Sequence, residues 1–191
     1  MSSTTTPNRT RVAVLVVGAA AIAAVAIFAF AGGGGDSVSV EPLEPGTTVA
    51  VTPAGPPAPD LPFTYFDGSE ATLAAYQGRP TVVNFWASWC PSCVAEMSAA
   101  FRPAQQQLGD TVAFVGFNIQ DERSRALELV EETGVLFDLA EDPRGDLYAE
   151  LGGLGMPFTV FINENGEIVH KHNGPVTEQQ LLDLIDERLD A

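Results

Sequence analysis

Residues 84–96 have the sequence NFWASWCPSCVAE, which joins an apolar run to the start of a helix. The run from Val82 to Trp86 predicts a buried strand, and Pro91 is typical of a first helical turn, where its missing N–H is not needed. Cys90 therefore lies where the strand becomes a helix. Unpaired backbone N–H groups and the positive end of the helix dipole favour a thiolate there. Because the thiolate is the form that attacks a disulfide, Cys90 is a candidate nucleophile.

Cys93 follows Cys90 by three residues, which places both on one face of the predicted helix. A disulfide between residues so close encloses a very short loop and restricts little unfolded-chain entropy, so it is a poor structural crosslink. Reversible thiol-disulfide exchange is the better explanation for the pair. The chain has 2 cysteines in total, which excludes a disulfide framework. A zinc site would need two more ligands, and His170 and His172 are not at zinc-finger spacing, so we expect no metal.

The composition is that of one domain of ordinary size with additional non-globular parts. The 191 residues are 46% hydrophobic and 18% charged. Lys and Arg number 9 against 25 Asp and Glu, for a formal net charge of −16. Nucleic acids and anionic lipid surfaces are poor partners for so acidic a chain, so we expect no nucleic-acid partner.

The amino-terminal part predicts attachment to a membrane. Residues 1–11 are polar and basic, and residues 12–31 form an uncharged apolar run long enough to span the hydrocarbon core. Basic residues precede this run and not the stretch after it, which predicts a cytoplasmic tail and an external remainder. The alternative is a cleaved signal peptide and a secreted protein, because residues 29–31 match an A-x-A cleavage site. Both interpretations export the chain to a compartment where a disulfide is chemically tolerated.

Two further regions follow the apolar run. Residues 32–60 are rich in Gly and Pro and predict a partly extended tether. Residues 61–191 form the predicted globular domain, where strands alternate with helices, which indicates an α/β sandwich with a mixed sheet. The predicted strands are 63–66, 81–86, 111–119, 135–139, 158–162 and 167–172. The predicted helices are 91–108 with a kink or end at Pro103, 121–133, 142–151 and 177–189.

The motif FWASWCxxC, from Phe85 to Cys93, resembles that of the thioredoxin superfamily. More narrowly, it is similar to the membrane-anchored, extracytoplasmic group of ResA-like and TlpA-like thiol-disulfide oxidoreductases. Glu96, three residues after the second cysteine, and the tripeptide at residues 155–157 before a strand also match. The likeness covers residues 61–191. It implies a thioredoxin-like three-layer α/β sandwich, with helices on both faces of a mixed β-sheet.

The resemblance implies a role for each matching residue. Cys90 would be the attacking thiolate, and Cys93 would be the thiol that resolves the mixed disulfide. Pro157 would be a cis-proline beside the cysteine pair, although sequence alone favours a trans peptide there. The backbone of Met156, just before it, would pair with the incoming substrate chain.

Three other residues are candidates with less specific signals. Trp89 adjoins Cys90 and is a candidate contact for substrate, as is Pro91 between the cysteines. By resemblance Glu96 would tune the thiols or accept a proton, whereas by spacing alone it would be a solvated residue that complements the helix dipole. Asn84 departs from the thioredoxins proper, which have an aspartate at this place.

The resemblance implies an enzyme that reduces disulfides of exported proteins, with apocytochromes awaiting haem as one possible class. Electrons would come from a transmembrane thiol donor, because the chain has no G-x-G-x-x-G motif and we expect no bound cofactor. Two alternatives stay open. The same thiols could act as an oxidant or isomerase, because C-x-x-C proteins range from about −270 to about −120 mV. The domain could also be a binding module with little redox role.

Overall fold

Residues 55–191, the part of the chain that the computed structural model describes, form a seven-stranded mixed sheet flanked by helices. The strands are β1 (Phe63–Tyr65), β2 (Glu70–Ala71), β3 (Thr81–Trp86), β4 (Ala113–Ile119), β5 (Asp138–Asp142), β6 (Phe158–Ile162) and β7 (Ile168–Asn173). The helices are α1 (Pro91–Glu96), α2 (Arg102–Leu108), α3 (Arg123–Thr133), α4 (Asp146–Glu150) and α5 (Glu178–Leu189), with a 3-10 helix at Leu73–Tyr76 and a π-helical turn at Met97–Phe101. The strand order across the sheet is β2-β1-β5-β4-β3-β6-β7.

Strand β3 lies inside the sheet, between a parallel neighbour, β4, and an antiparallel neighbour, β6. Every residue of β3 is buried, so the strand predicted from the apolar run is confirmed. Phe85 near the end of β3 pairs with Phe158 at the start of β6. The ends of β3 and β4 and the start of β6 therefore share one edge of the sheet. We call it the disulfide edge, because Cys90 follows β3 there.

Alternate side chains of β3 point to two separate cores, as expected for a strand buried on both faces. Val82 and Trp86 pack with buried residues of α1, α2, α3 and α5. Val83 and Phe85 pack on the other face, with buried residues of α4 and the 3-10 helix. Helices therefore cover both faces of the mixed sheet, which confirms the predicted three-layer α/β sandwich.

The helix predicted for residues 91–108 is interrupted one turn before the proline expected to disturb it. The backbone N–H of Arg102 bonds to the carbonyl of Met97, five residues earlier, which widens the turn. Pro103 is the second residue of α2, and it has no N–H to offer the carbonyl of Ala99. A wider turn just before the proline keeps the ring away from that carbonyl.

Two strands begin two or three residues later than predicted. The strand predicted at 135–139 is wrong by three residues, because pairing with β4 begins only where Asp138 meets Val115. Val135 and Phe137 are buried core residues that precede the strand, and their apolar side chains led to the prediction of a strand there. The strand predicted from residue 111 begins at Ala113, because the preceding residues form a turn with α2.

The helix predicted at 142–151 is shorter, and a turn precedes it. Gly145 has φ of 74°, a left-handed conformation that cannot continue a helix. Asp142 ends β5 and accepts hydrogen bonds from the backbone N–H groups of Leu147 and Tyr148, at 3.4 and 2.8 Å. This carboxylate satisfies donors at the beginning of α4, which explains why an acidic residue belongs to the strand end.

The last residues of the predicted tether lie along the β6–β7 hairpin. The carbonyl of Pro56 accepts from the N–H of Ile168, and the N–H of Ala58 donates to the carbonyl of Gly166, both at 2.8 Å. The chain therefore joins the sheet at this hairpin before it reaches β1.

The predicted tail at residues 1–11, the apolar run at 12–31 and most of the tether lie outside the described residues. Between residues 55 and 191, no helix combines the length and the apolar character needed to cross a membrane.

Candidate active site

The two cysteines form a disulfide at the start of α1, with an S–S distance of 2.06 Å. Cys90 occupies the N-cap, Pro91 is the first helical residue, and the Cys93 backbone N–H donates to Cys90 Sγ at 3.3 Å. Cys90 is 6% exposed, whereas Cys93 is fully buried. Cys90 therefore carries the sulfur that a partner reaches first. The N–H of Cys93 and the helix terminus stabilise negative charge on that sulfur.

Asp121 holds the loop between β3 and Cys90. Its carboxylate accepts from the backbone N–H and the hydroxyl of Ser88, at 2.6 and 2.7 Å. It also accepts from the Asn118 side chain at 2.9 Å and from the Glu122 backbone N–H at 2.8 Å. Burial alone would raise the pKa of Asp121, but these hydrogen bonds together outweigh it and lower the pKa. The carboxylate thus stays charged and fixes the loop.

Trp89 stands beside the disulfide with 57% of its surface exposed. Its indole N–H donates to the carbonyl of Gln120, just beyond β4, at 3.0 Å. The ring is therefore held on the β4 side of the disulfide edge. Trp86, by contrast, is fully buried in the core.

Glu96 lies in α1 one helical turn beyond Cys93 and is buried, so the interpretation as a solvated residue is wrong. Its two carboxylate oxygens accept from the Asn84 side chain and from the Val176 backbone N–H, each at 3.0 Å. Burial raises the pKa of Glu96 to about 7, although both hydrogen bonds act to lower it. Asn84 also donates to the hydroxyl of Thr159 at 3.2 Å. A carboxyl group with such a pKa can exchange a proton near neutral pH.

The peptide bond between Met156 and Pro157 is cis, as the resemblance implied. Pro157 immediately precedes Phe158, whose pairing with Phe85 places this proline at the disulfide edge. Met156 is half-buried, and its backbone N–H and carbonyl make no hydrogen bond with the described residues. These two groups are therefore available to an incoming chain.

The structure places the residues that the sequence indicated at the disulfide edge or, for Glu96, one helical turn behind it, and it shows two neighbours that the sequence analysis did not single out. Asp121 was missed, although an acidic residue at the carboxyl end of a strand parallel to β3 is a recognisable signal, because ligand sites cluster there. Leu154 was missed too. It lies in the loop before Pro157 and is 88% exposed, and its signal was an apolar residue flanked by glycines.

Comparison with known proteins identifies the relatives of this chain. The model of the Redoxin family matches residues 53–185. The thiol:disulfide interchange protein DsbE of Pseudomonas aeruginosa is 34% identical over 139 residues, which cover 70% of this chain and 75% of that protein. The DsbE homologue of Paracoccus denitrificans is 37% identical over 99 residues, 51% of this chain and 52% of that protein. The chain thus spans only about half the length of several curated relatives that it matches.

A solved structure shows the same fold. The secreted Mycobacterium tuberculosis disulfide oxidoreductase, described as homologous to E. coli DsbE, superposes with a TM-score of 0.61 at 23% identity. The superposition covers 67% of this chain and 96% of that one. Together with the family match and the cysteine pair at the disulfide edge, this agreement shows that the chain belongs to the Redoxin family, within the thioredoxin superfamily and alongside the DsbE-type thiol:disulfide interchange proteins.

Proposed function

We propose that this chain is an extracytoplasmic thiol-disulfide oxidoreductase that reduces disulfides of exported proteins through Cys90 and Cys93. The observation that carries the exchange chemistry is the position of Cys90, and the reduction potential decides its direction. Its sulfur accepts the Cys93 N–H at a helix terminus, is the more exposed of the pair, and shares the disulfide edge with the unpaired backbone of Met156. The relative in Pseudomonas aeruginosa is named a thiol:disulfide interchange protein.

The first step joins the enzyme to its substrate. In the reduced enzyme, the Cys90 thiolate attacks one sulfur of a substrate disulfide, forming a new S–S bond and expelling the other substrate sulfur as a thiolate. The Cys93 N–H and the helix terminus favour the attacking thiolate. An extended substrate segment would pair with the backbone of Met156 beside Pro157 while Trp89 and Pro91 contact it.

The second step releases the substrate. Cys93 loses its proton and attacks Cys90 Sγ, which forms the Cys90–Cys93 disulfide and frees the second substrate sulfur as a thiolate. Two electrons have then passed to the substrate. Glu96 lies one helical turn beyond Cys93 on the same face, and its raised pKa suits it to accept the proton.

The amino-terminal sequence supports an extracytoplasmic place of action. We assign residues 1–11 to a cytoplasmic tail, 12–31 to a membrane anchor, 32–60 to a tether and 61–191 to the thioredoxin-like domain. A transmembrane thiol protein would return electrons to the disulfide, because this chain has no dinucleotide-binding motif. Apocytochromes awaiting haem are the substrate class that the resemblance implies.

Trapping the mixed disulfide tests the proposal. The reduced full chain is mixed with an oxidised C-x-x-C-H peptide, the form of a c-type haem attachment site. We expect Cys93→Ser to accumulate a covalent adduct visible by mass spectrometry under non-reducing conditions, because the resolving thiol is absent. Cys90→Ser serves as the matched control and should form none. Equal adduct in both variants, or no reduction of the peptide by the wild type, would refute the proposal.

The reduction potential decides between two directions. A second candidate function, oxidation of secreted proteins, is favoured by the hydrogen bond to Cys90 Sγ, because stabilising the thiolate stabilises the reduced enzyme. Equilibration of the full chain with glutathione or dithiothreitol buffers, followed by tryptophan fluorescence, gives the potential. A value below about −240 mV supports the reductant, and one above about −180 mV supports the oxidant or isomerase. A chain without a two-electron couple would be a binding module.

A further inference from the structure

Large apolar side chains are unevenly distributed over the surface of the described residues. Four of them are well exposed, namely Trp89, Leu127, Leu136 and Leu154. Two of the four, Trp89 and Leu154, belong to loops at the disulfide edge. Leu154 is 88% exposed, the most of the four, and it lies in the loop that leads to Pro157 at the disulfide edge.

The sheet topology places these two side chains on opposite sides of the disulfide. Trp89 is bonded to Gln120 at the end of β4, on one side of β3. The Leu154 backbone N–H donates to the side chain of Asn173 at 3.2 Å, and Asn173 pairs with Phe158 across the β6–β7 pair, on the other side of β3. The disulfide follows β3 and therefore lies between the two apolar residues.

The three loops that carry Trp89, Asp121 and Leu154 contain acidic residues and no basic ones. Residues 86–92, 120–122 and 152–158 contain Asp121 and Glu122 and no Lys or Arg. Asp121 is already occupied by its four hydrogen bonds. These three loops thus offer apolar contacts and free backbone groups, and basic side chains lie beside them, with Lys171 close to Gly152 and Arg144 in the loop after β5.

We propose that Trp89 and Leu154 are two separate apolar contacts that select extended polypeptide segments with a large apolar side chain two residues before and two residues after the reacting cysteine. In an extended segment alternate side chains point the same way, so the residues two positions from the substrate cysteine face this protein together with it. One neighbour meets Trp89 and the other meets Leu154. The inference rests on the proposed function and names its substrate class.

The test uses disulfide-linked dimers of a nine-residue peptide with a central cysteine. Leu or Ser stands at the position two before, or two after, that cysteine. The full chain is reduced with dithiothreitol, freed of it and mixed with each dimer, and stopped-flow fluorescence gives the second-order rate constant. We expect the wild type to prefer Leu over Ser about tenfold at each position, the magnitude of partial burial of one leucine.

The protein variants identify which of the two side chains contacts which position of the substrate. Leu154→Ser should abolish the preference at one position and keep it at the other, whereas Trp89→Gln should do the opposite, leaving Trp86 as the fluorophore. Leu154→Met, which keeps an apolar side chain, should restore the lost preference. The matched control is Leu136→Ser, an equally drastic change of an exposed leucine away from this edge, which should keep both preferences. Such position-specific coupling is the signature of a direct contact.

Several results would overturn the inference. They are the absence of any preference in the wild type, loss of both preferences in one variant, or loss in the Leu136 control. A change of sedimentation in Leu154→Ser without a change in peptide preference would mean that Leu154 binds a second copy of the chain instead. Glutathione disulfide separates the two proposals. If the wild type reduces it without peptide preference, only this inference fails, and if it reduces no disulfide at all, the proposed function fails.

Discussion

Asn84 donates its side-chain N–H to Glu96 across 3.0 Å, and both side chains are buried. The pair links β3 to α1, one helical turn beyond Cys93. The other polar atom of Asn84, Oδ1, has no hydrogen-bond partner among the described residues. Burial of Glu96 favours the neutral form of its carboxyl group, and this has consequences for stability and for the reaction.

Glu96→Gln should change the pH dependence of unfolding. The folded-state pKa of Glu96 is about 7, above its ordinary value of 4.5, so the folded chain binds the proton more tightly than the unfolded chain. The stability from this group is complete below pH 4.5 and is lost as the pH rises to about 7. The free energy of unfolding of the variant minus that of the wild type should therefore rise by about 3 kcal/mol from pH 4 to pH 8. Urea titrations of the oxidised chain measure it.

The control for this prediction is Glu150→Gln, a change of an exposed carboxylate on α4. It removes one exposed carboxylate by the same substitution, so a rise of equal size in that variant would mean that the effect does not come from the burial of Glu96. A constant difference for Glu96→Gln would show that Glu96 is not held in the buried, uncharged form.

The same variant should slow release of the substrate. Gln cannot accept the proton that Cys93 loses, and a positioned proton acceptor contributes about a hundredfold or more to rate. We expect resolution of the mixed disulfide to slow at least tenfold, and the limb of its pH-rate profile near pH 7 to disappear. Stopped-flow measurement of peptide release from pH 5 to 9 checks this. An unchanged limb would assign that proton to another group.

Asp121→Asn should destabilise the domain and release Trp89. Charged hydrogen bonds to Ser88, Asn118 and Glu122 are weakened, at a cost of about 1–3 kcal/mol near neutral pH. The pKa of Asp121 is lowered on folding. The difference in unfolding free energy from the wild type should therefore be lost as the pH falls from the pKa of an ordinary aspartate through the lowered pKa of Asp121. Urea unfolding monitored by tryptophan fluorescence at several pH values gives the loss of stability and its pH dependence. Glu122→Gln is the control, because only its backbone N–H joins this network, and an equal cost there would contradict the prediction.

Gly116→Ala should destabilise the core beneath the site. A Cβ atom on Gly116 in β4 would lie 2.6 Å from Phe137 and 2.9 Å from the indole nitrogen of Trp86. Both rings are buried, so relief requires displacement of the core, at about 1–3 kcal/mol. Gly155→Ala is the matched control, because a Cβ there meets no atom within 4 Å. Urea midpoints compare the two variants, and an equal loss would mean that the core accommodates the methyl group.

The central strand and the cysteine pair could be predicted because local rules determine them. The apolar run before Cys90 can only be buried, and Pro91 marks the beginning of a helix whatever the rest of the chain does. The cis peptide before Pro157 could not be derived from local rules, and the resemblance supplied it. Sequence alone favours the trans form.

The errors have a common cause in tertiary contacts. Val135 and Phe137 are buried without belonging to a strand, and Asp142 pairs with Ile119 in the sheet while its carboxylate binds the start of α4. Burial and pairing are separate properties, and the apolar pattern reports only burial. Glu96 is a polar residue that the helical pattern predicts to be exposed but that is buried. It contacts Val176, 80 residues later in the chain, and no helical pattern contains that information.

The hydrogen bonds of Pro56 and Ala58 to the β6–β7 hairpin determine where the preceding chain enters the domain. Strand β6 runs antiparallel to β3, so its hairpin lies at the opposite end of the sheet from Cys90, about 20 Å away for a strand of six residues. Any attachment upstream of residue 55 therefore enters the domain at one end of the sheet, while the chemistry takes place at the other end. A change in the length of that upstream segment would leave this separation unchanged.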